Sequence, residues 1–201
     1  MPLFSTAYFP TINYLSQLVD FERVEIEIFE TYPKQTYRNR MVISTANGLL
    51  PLSIPVEKPN GNHTLTKDVT ICNKEDWRTK HWRAIQAAYN SSPYFLYYED
   101  DIRKLIFNDC KFLIDLNSEI LSYLLKKLRF TTEFSFSKDF CPMPDSDFRN
   151  VFSPKVAVQP PNKPYPQVFE ERFGFQPNLS ILDALFNLGP ETKAYLLNQK
   201  S

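Results

Sequence analysis

The run Tyr32-Pro33-Lys34-Gln35-Thr36-Tyr37-Arg38-Asn39-Arg40 carries three cations and no carboxylate. If it is extended, side chains two and four apart share a face, which places Lys34, Arg38 and Arg40 together. Guanidinium groups present planar forks that match phosphate and carboxylate oxygens, so the run suits a phosphate, a diphosphate or a carboxylate ligand. Tyr37 and Asn39 add polar groups from the same run. A surface strand whose cations pair with acids elsewhere in the chain accounts for the same residues.

A second run, Trp77-Arg78-Thr79-Lys80-His81-Trp82-Arg83, leads into Ile85, Ala88 and Tyr89. On a helix, His81, Ile85 and Tyr89 fall on one side, so the imidazole need not face water. Histidine titrates nearest neutral pH, which makes His81 the candidate general acid or base beside a basic anion pocket, with Tyr89 as a substrate contact. A hydrogen-bonded structural histidine is the plain alternative. Glu99-Asp100-Asp101 concentrates three carboxylates that could hold a divalent cation, although acids at the start of a helix are also stabilised by its dipole. Cys72, Cys110 and Cys141 form no CxxC pair, which argues against a disulfide framework and a zinc site. The four glycines, Gly48, Gly61, Gly174 and Gly189, spell no GxGxxG, P-loop or GxSxG motif. No cofactor is indicated.

The elements that position these groups follow from patterning. Residues 3–7 read as a short strand, Thr11 as a helix cap, and Ile12, Leu15, Leu18 and Val19 as one helical face. Val24-Glu25-Ile26-Glu27-Ile28 alternates as a half-buried strand does, so the chain opens with a parallel β-α-β unit. Asn47-Gly48 between two apolar runs signals an inserted β-hairpin with strands 41–44 and 49–55. Val69-Thr70-Ile71 reads as a strand and residues 75–90 as a helix. Residues 94–98 are β-prone, and residues 101–130 have helical spacing in two helices expected to meet near 115–117. The expected class is α/β: a layered, mainly parallel sheet opening with β-α-β, the hairpin, a helical second half and a Pro-rich C-terminal strap.

Eight of the 16 prolines lie between Pro142 and Pro177, so an extended strap is expected there rather than a second core. Its apolar residues Val151, Phe152, Val156, Val158, Tyr165, Val168 and Phe169 should lie along the domain surface. Asn178-Leu179-Ser180 should cap a helix through about Phe186, Gly189-Pro190 should break it, and a last helical turn should run from Glu191 to Leu197. One domain results: an α/β core over residues 1–140, with residues 141–201 packed on it.

The 23 basic residues balance 23 acidic ones, so no global field draws the chain to nucleic acid or anionic lipid, and an anion site must be local. No basic residue precedes Arg23 and no apolar run could span a bilayer, which sets the expectation of a cytoplasmic protein without membrane insertion.

Together, Tyr8-Phe9-Pro10 before a helix, Tyr37-Arg38-Asn39-Arg40, Trp77 with His81, Tyr89 and Phe95, and Leu179-Ser180-Ile181-Leu182-Asp183 resemble the WbqC-like family across essentially the whole chain. That resemblance implies a role in O-antigen-type surface polysaccharide biosynthesis, with glycine or acyl transfer onto a sugar as the suggested reaction. The resemblance adds weight to Arg40 and His81, while the crevice at the carboxyl ends of parallel strands brings the loop at Tyr8, Pro10 and Thr11 into the expected substrate site. Ser5 and Thr6 stand where the family often has Gln-Pro. A looser likeness is to nucleotidylyltransferase-like domains, which also open strand, aromatic-Pro loop, helix, strand, but their histidine pair is missing here. Two functions of different class are therefore expected: a transferase on a nucleotide-linked or anionic sugar precursor, or a non-catalytic partner in envelope polysaccharide assembly.

Overall fold

A computed structural model describes residues 1–154 and 162–200. Its first half contains β1 (Leu3–Ser5), α1 (Ile12–Leu18), β2 (Arg23–Glu27), β3 (Arg40–Thr45), β4 (Gly48–Ser53), β5 (Val56–Glu57) and β6 (Thr70–Ile71). There follow α2 (Trp77–Tyr89), α3 (Phe95–Phe107), α4 (Leu113–Lys127), β7 (Glu133–Phe136), α5 (Glu170–Phe173), α6 (Ile181–Leu188) and α7 (Thr192–Leu197).

The opening unit forms as its patterning dictates. Thr11 accepts a hydrogen bond from the Tyr14 amide and starts α1, which buries Ile12, Leu15 and Leu18 completely. β1 and β2 pair in parallel with Phe4 opposite Ile26, and the alternation of β2 buries Val24 and Ile26. β7 joins the other edge of β2, also parallel, to give the order β1-β2-β7. The expected parallel sheet is present but small, and the expected hairpin stands apart from it. Three strands are parallel, while the β3–β4 hairpin and the β5–β6 pair form separate antiparallel ribbons.

In the hairpin Arg40 lies opposite Ser53 and Thr45 opposite Gly48, whose φ of 98° supplies the left-handed step that closes the turn. Asp76 caps α2, and its buried stripe of Trp77, His81, Trp82, Ile85, Ala88 and Tyr89 faces the core.

Three further expectations are corrected. Residues 94–98 are not a strand; the aromatic run enters α3, because Phe95, Tyr98, Ile102 and Ile106 recur at helical spacing and bury one face. Glu99, Asp100 and Asp101 thus lie within that helix, and among the described residues no group of His, Cys, Asp and Glu could hold a metal ion. The break between the next two helices falls between Phe107 and Leu113, not at 115–117. Asn117 stays inside α4, where its amide donates to Thr6 Oγ1 and to the Arg38 carbonyl.

Beyond residue 140, Phe148 and Phe152 stack on Phe4, and Tyr165 is buried. Val151 is exposed, whereas Val168 and Phe169 are half-buried. Val156 and Val158 lie outside the described residues. Ser180 caps α6, which packs on α1, α3 and β3. At the Gly189 break any Cβ would collide with the Tyr94 ring. Among the described residues no helix is long and apolar enough to cross a membrane.

Candidate functional site

Tyr8-Phe9-Pro10-Thr11 bridges β1 and α1. Phe9 adopts φ 39°, a left-handed conformation that an aromatic residue holds only when its surroundings enforce it. The enforcing contacts come from Leu179-Ser180-Ile181. Ser180 Oγ donates to the Phe9 carbonyl at 3.0 Å, Ile12 N donates to the Leu179 carbonyl at 3.1 Å, and Ile181 N donates to the Pro10 carbonyl at 2.8 Å. Tyr8 N donates to the Tyr37 carbonyl at 3.0 Å, which ties this loop to the cationic run.

Tyr8 is fully buried, and its Oη lies 3.1 Å from His81 Nδ1. Burial drives the His81 pKa from 6.5 down to about 4, opposed by a hydrogen bond to the Ser53 backbone. A backbone bond that favours protonation is one the ring donates, so it runs to the Ser53 carbonyl, and Nδ1 is left to accept from the Tyr8 hydroxyl. Both ring nitrogens are thereby committed within the chain. Trp77 packs edge-on against both Tyr8 and His81.

Ser53 is the meeting point. Across the hairpin Arg40 Nε donates to Ser53 Oγ at 3.1 Å, so Arg40 and His81 grip opposite ends of one residue. Arg40 is half-buried, and among the described residues no carboxylate lies within ion-pair distance of it. Its charge bears on Tyr32 and Tyr37: burial pushes both phenols up, Arg38 and then Arg40 pull Tyr32 back, and Arg40 pulls Tyr37 back. Tyr32 Oη is buried without a hydrogen-bond partner among the described residues.

The other expected residues separate from this cluster. The run before Arg40 is not extended: Gln35 turns it with φ 57°, so Lys34, Arg38 and Arg40 do not share a face. Lys34 is exposed. Arg38 is buried and pairs with Glu30 at 2.7 Å, a carboxylate outside the run. The Asn39 amide donates to the Ile54 carbonyl at 2.8 Å and shapes the hairpin base. Tyr89 is fully buried and donates to Asp183 at 2.9 Å. Asp183 also accepts from Tyr165, Gln167 and Asn187. Thr11 is spent on capping, and Pro10 lines a cavity at the carboxyl end of β1 that is only about 10 Å³, closed by Ile114, Asn117 and Leu121 of α4. Ser53 was not foreseen, although the Asn47-Gly48 turn sets the register that places it opposite Arg40. Tyr32 lay inside the cationic run but gave no signal, because an orphaned hydroxyl is a property of packing.

The sequence segments named by the resemblance thus join one another: 8–10 contacts 37, 81 and 180, and Tyr89 contacts 183. The model of the WbqC-like protein family matches this chain over residues 6–154 and 146–195. The chain is also 25% identical over 217 residues to "Uncharacterized protein Rv1507c" of Mycobacterium tuberculosis (strain ATCC 25618 / H37Rv), covering 94% of this chain and 91% of that protein. No solved structure matches it. With nearly its whole length accounted for by the family model, the chain belongs to the WbqC-like protein family.

Proposed function

We propose that the protein binds a phosphate-bearing or otherwise anionic sugar precursor at Arg40 and acts as a transferase in surface polysaccharide biosynthesis, with glycine or acyl transfer as the reaction class. The observation that carries this reading is the Arg40 guanidinium, anchored among the described residues only through Nε, whose charge reaches a buried Tyr32 hydroxyl that has no hydrogen-bond partner among them. A guanidinium held by one nitrogen offers its remaining fork to a phosphate or carboxylate, and a buried phenol gains a partner when a sugar or phosphate oxygen reaches it. Ser53 sets the direction of Arg40, and His81 sets Ser53. In this conformation His81 is a positioning residue; it takes a proton only when the Tyr8 hydroxyl leaves Nδ1.

That commitment of both imidazole nitrogens favours a second reading, a non-catalytic protein that binds the same anion within an envelope polysaccharide assembly. Calorimetry and thermal shift with UDP-glucose, UDP-N-acetylglucosamine and GDP-mannose test both. Arg40→Ala should weaken binding by about 2 kcal/mol, roughly thirtyfold, the loss expected for a hydrogen bond to a charged group. Absence of any stabilised complex, or equal affinity in Arg40→Ala, removes the site. Binding without turnover of glycine or acyl donors selects the second reading.

A further inference from the structure

A groove of about 1090 Å³ opens between one face of α3, the carboxyl end of α4 and the start of α7. Lys104, Lys126, Lys127, Arg129 and Lys193 line it against one carboxylate, Asp101. This local excess stands in a chain whose charges cancel overall. Lys127 is paired with Asp101 at 2.8 Å, and Lys193 Nζ donates to the Arg129 carbonyl at 2.6 Å. Lys104, Lys126 and the Arg129 guanidinium have no carboxylate within ion-pair distance among the described residues.

Helix dipoles explain part of this charge, since Lys104, Lys126 and Lys127 sit in the last turns of their helices. They do not explain the rest. Lys193 lies near the amino end of α7, where the dipole opposes a cation, and Arg129 holds φ 57° just past α4, a position that glycine fills at least cost. Both residues go against local preference and put charge on the same rim.

We propose that this groove is an anion site distinct from Arg40, built for a diphosphate carried on a larger body such as a nucleoside. Three cations without an ion-pair partner among the described residues match the charge of a diphosphate. The volume lies just above the range of small-molecule sites, roughly 300–1,000 Å³, so a lone phosphate leaves it unfilled. Walls from three helices make a concave receptor rather than the face that a membrane surface needs. A free nucleotide and a nucleotide-linked sugar share the recognised chemistry.

The site stands without the Arg40 reading and is tested in the Arg40→Ala protein, where binding at Arg40 is removed. Pyrophosphate, UDP and UDP-glucose are titrated by calorimetry against that protein, alone and with Lys126→Gln/Arg129→Gly added. Glycine suits the left-handed backbone at 129, so the melting temperature should be held or raised. Lys104→Gln is the second variant. Expected are saturable binding of pyrophosphate and UDP, a loss of at least tenfold in both groove variants, and no change when Lys58→Gln/Lys74→Gln removes two charges outside the groove; comparison of UDP with UDP-glucose shows which source is preferred. The proposal is overturned if pyrophosphate and UDP fail to bind, if the groove variants bind them unchanged, or if the protein adheres to phosphatidylglycerol vesicles while ignoring pyrophosphate.

Discussion

Arg38 and Arg40 differ in surroundings far more than in position. Arg38 is buried at the carboxyl end of the parallel sheet, with Nε and Nη2 on Glu30 Oε1 at 2.8 and 2.7 Å and Nη2 also donating to the Arg149 carbonyl. Arg149 in turn contacts Glu27, Asp147 and the Cys141 carbonyl, and the fully buried Glu27 accepts from Ser137 Oγ and the Phe29 amide. This network is closed: its charges are spent on one another and fasten residues 137–149 to the sheet. Around Arg40 the network is open: among the described residues it has one neutral anchor at Ser53 and no acid within ion-pair distance, and the Tyr32 phenol its charge reaches has no partner. Buried charge that must survive folding is paired, whereas charge meant for a ligand is positioned and left unpaired.

The largest expected effect breaks the closed side. Arg38→Ala leaves Glu30 desolvated without its partner and should cost about 3–5 kcal/mol, a melting temperature lower by roughly 10 °C. Replacing both partners, Arg38→Met with Glu30→Met, should recover most of that loss, because the desolvation of the ion pair disappears with it. Urea and thermal unfolding of the three proteins measure this, and a double variant no better than Arg38→Ala would show that the pair gives more than charge balance.

Next in size is the pH response of His81. Its pKa is depressed from 6.5 to about 4, so the unfolded chain binds the proton more readily than the folded one. Stability from the neutral imidazole is fully present above pH 6.5 and falls as pH drops toward 4, by about 3 kcal/mol across that window. Urea titrations at a series of pH values should show this slope. His81→Gln, which can still donate to Ser53 and accept from Tyr8, should flatten it.

Both sides of the comparison were only partly legible in the sequence. Local signals served well: the β1-α1-β2 opening, the Asn47-Gly48 turn, the α2 stripe and the Ser180 cap each follow from residues within a few positions of one another. The strand-prone aromatics at 94–98 misled, since burial of Phe95, Tyr98 and Ile102 on one helical face overrides their intrinsic preference. β7 gave no usable signal because its partner is β2, more than a hundred residues earlier. A turn that the sequence did not signal hid the fate of Arg38. The run 34–40 contains no acid, but Glu30 folds back on it once Gln35 turns the chain. His81 was visible as a helix histidine, yet its two partners, Tyr8 and Ser53, come from different elements and appear only when the hairpin lies over α2.

The smallest expected effects on stability fall on the open side. Ser53→Ala removes an exposed hydrogen bond that the Arg40 guanidinium donates and that solvent can replace, so its cost should stay at or below about 1 kcal/mol. Affinity for the nucleotide-linked sugar should fall more than stability, because Arg40 loses its direction while keeping its charge. The sharpest contrast is Arg40→Ala itself. Among the described residues its guanidinium has no carboxylate to orphan and satisfies only the exposed Ser53 hydroxyl, so removal should shift unfolding by about 0.5 kcal/mol or less, the range of ordinary surface changes. Set beside Arg38→Ala, the same chemical deletion two residues away should therefore differ by several kcal/mol in stability, with the order reversed for anion affinity. Parallel urea unfolding and calorimetry on the two variants decide it. If Arg40→Ala unfolds the protein as readily as Arg38→Ala, then Arg40 is a structural cation, and the orphaned Tyr32 hydroxyl loses its role as part of a ligand site.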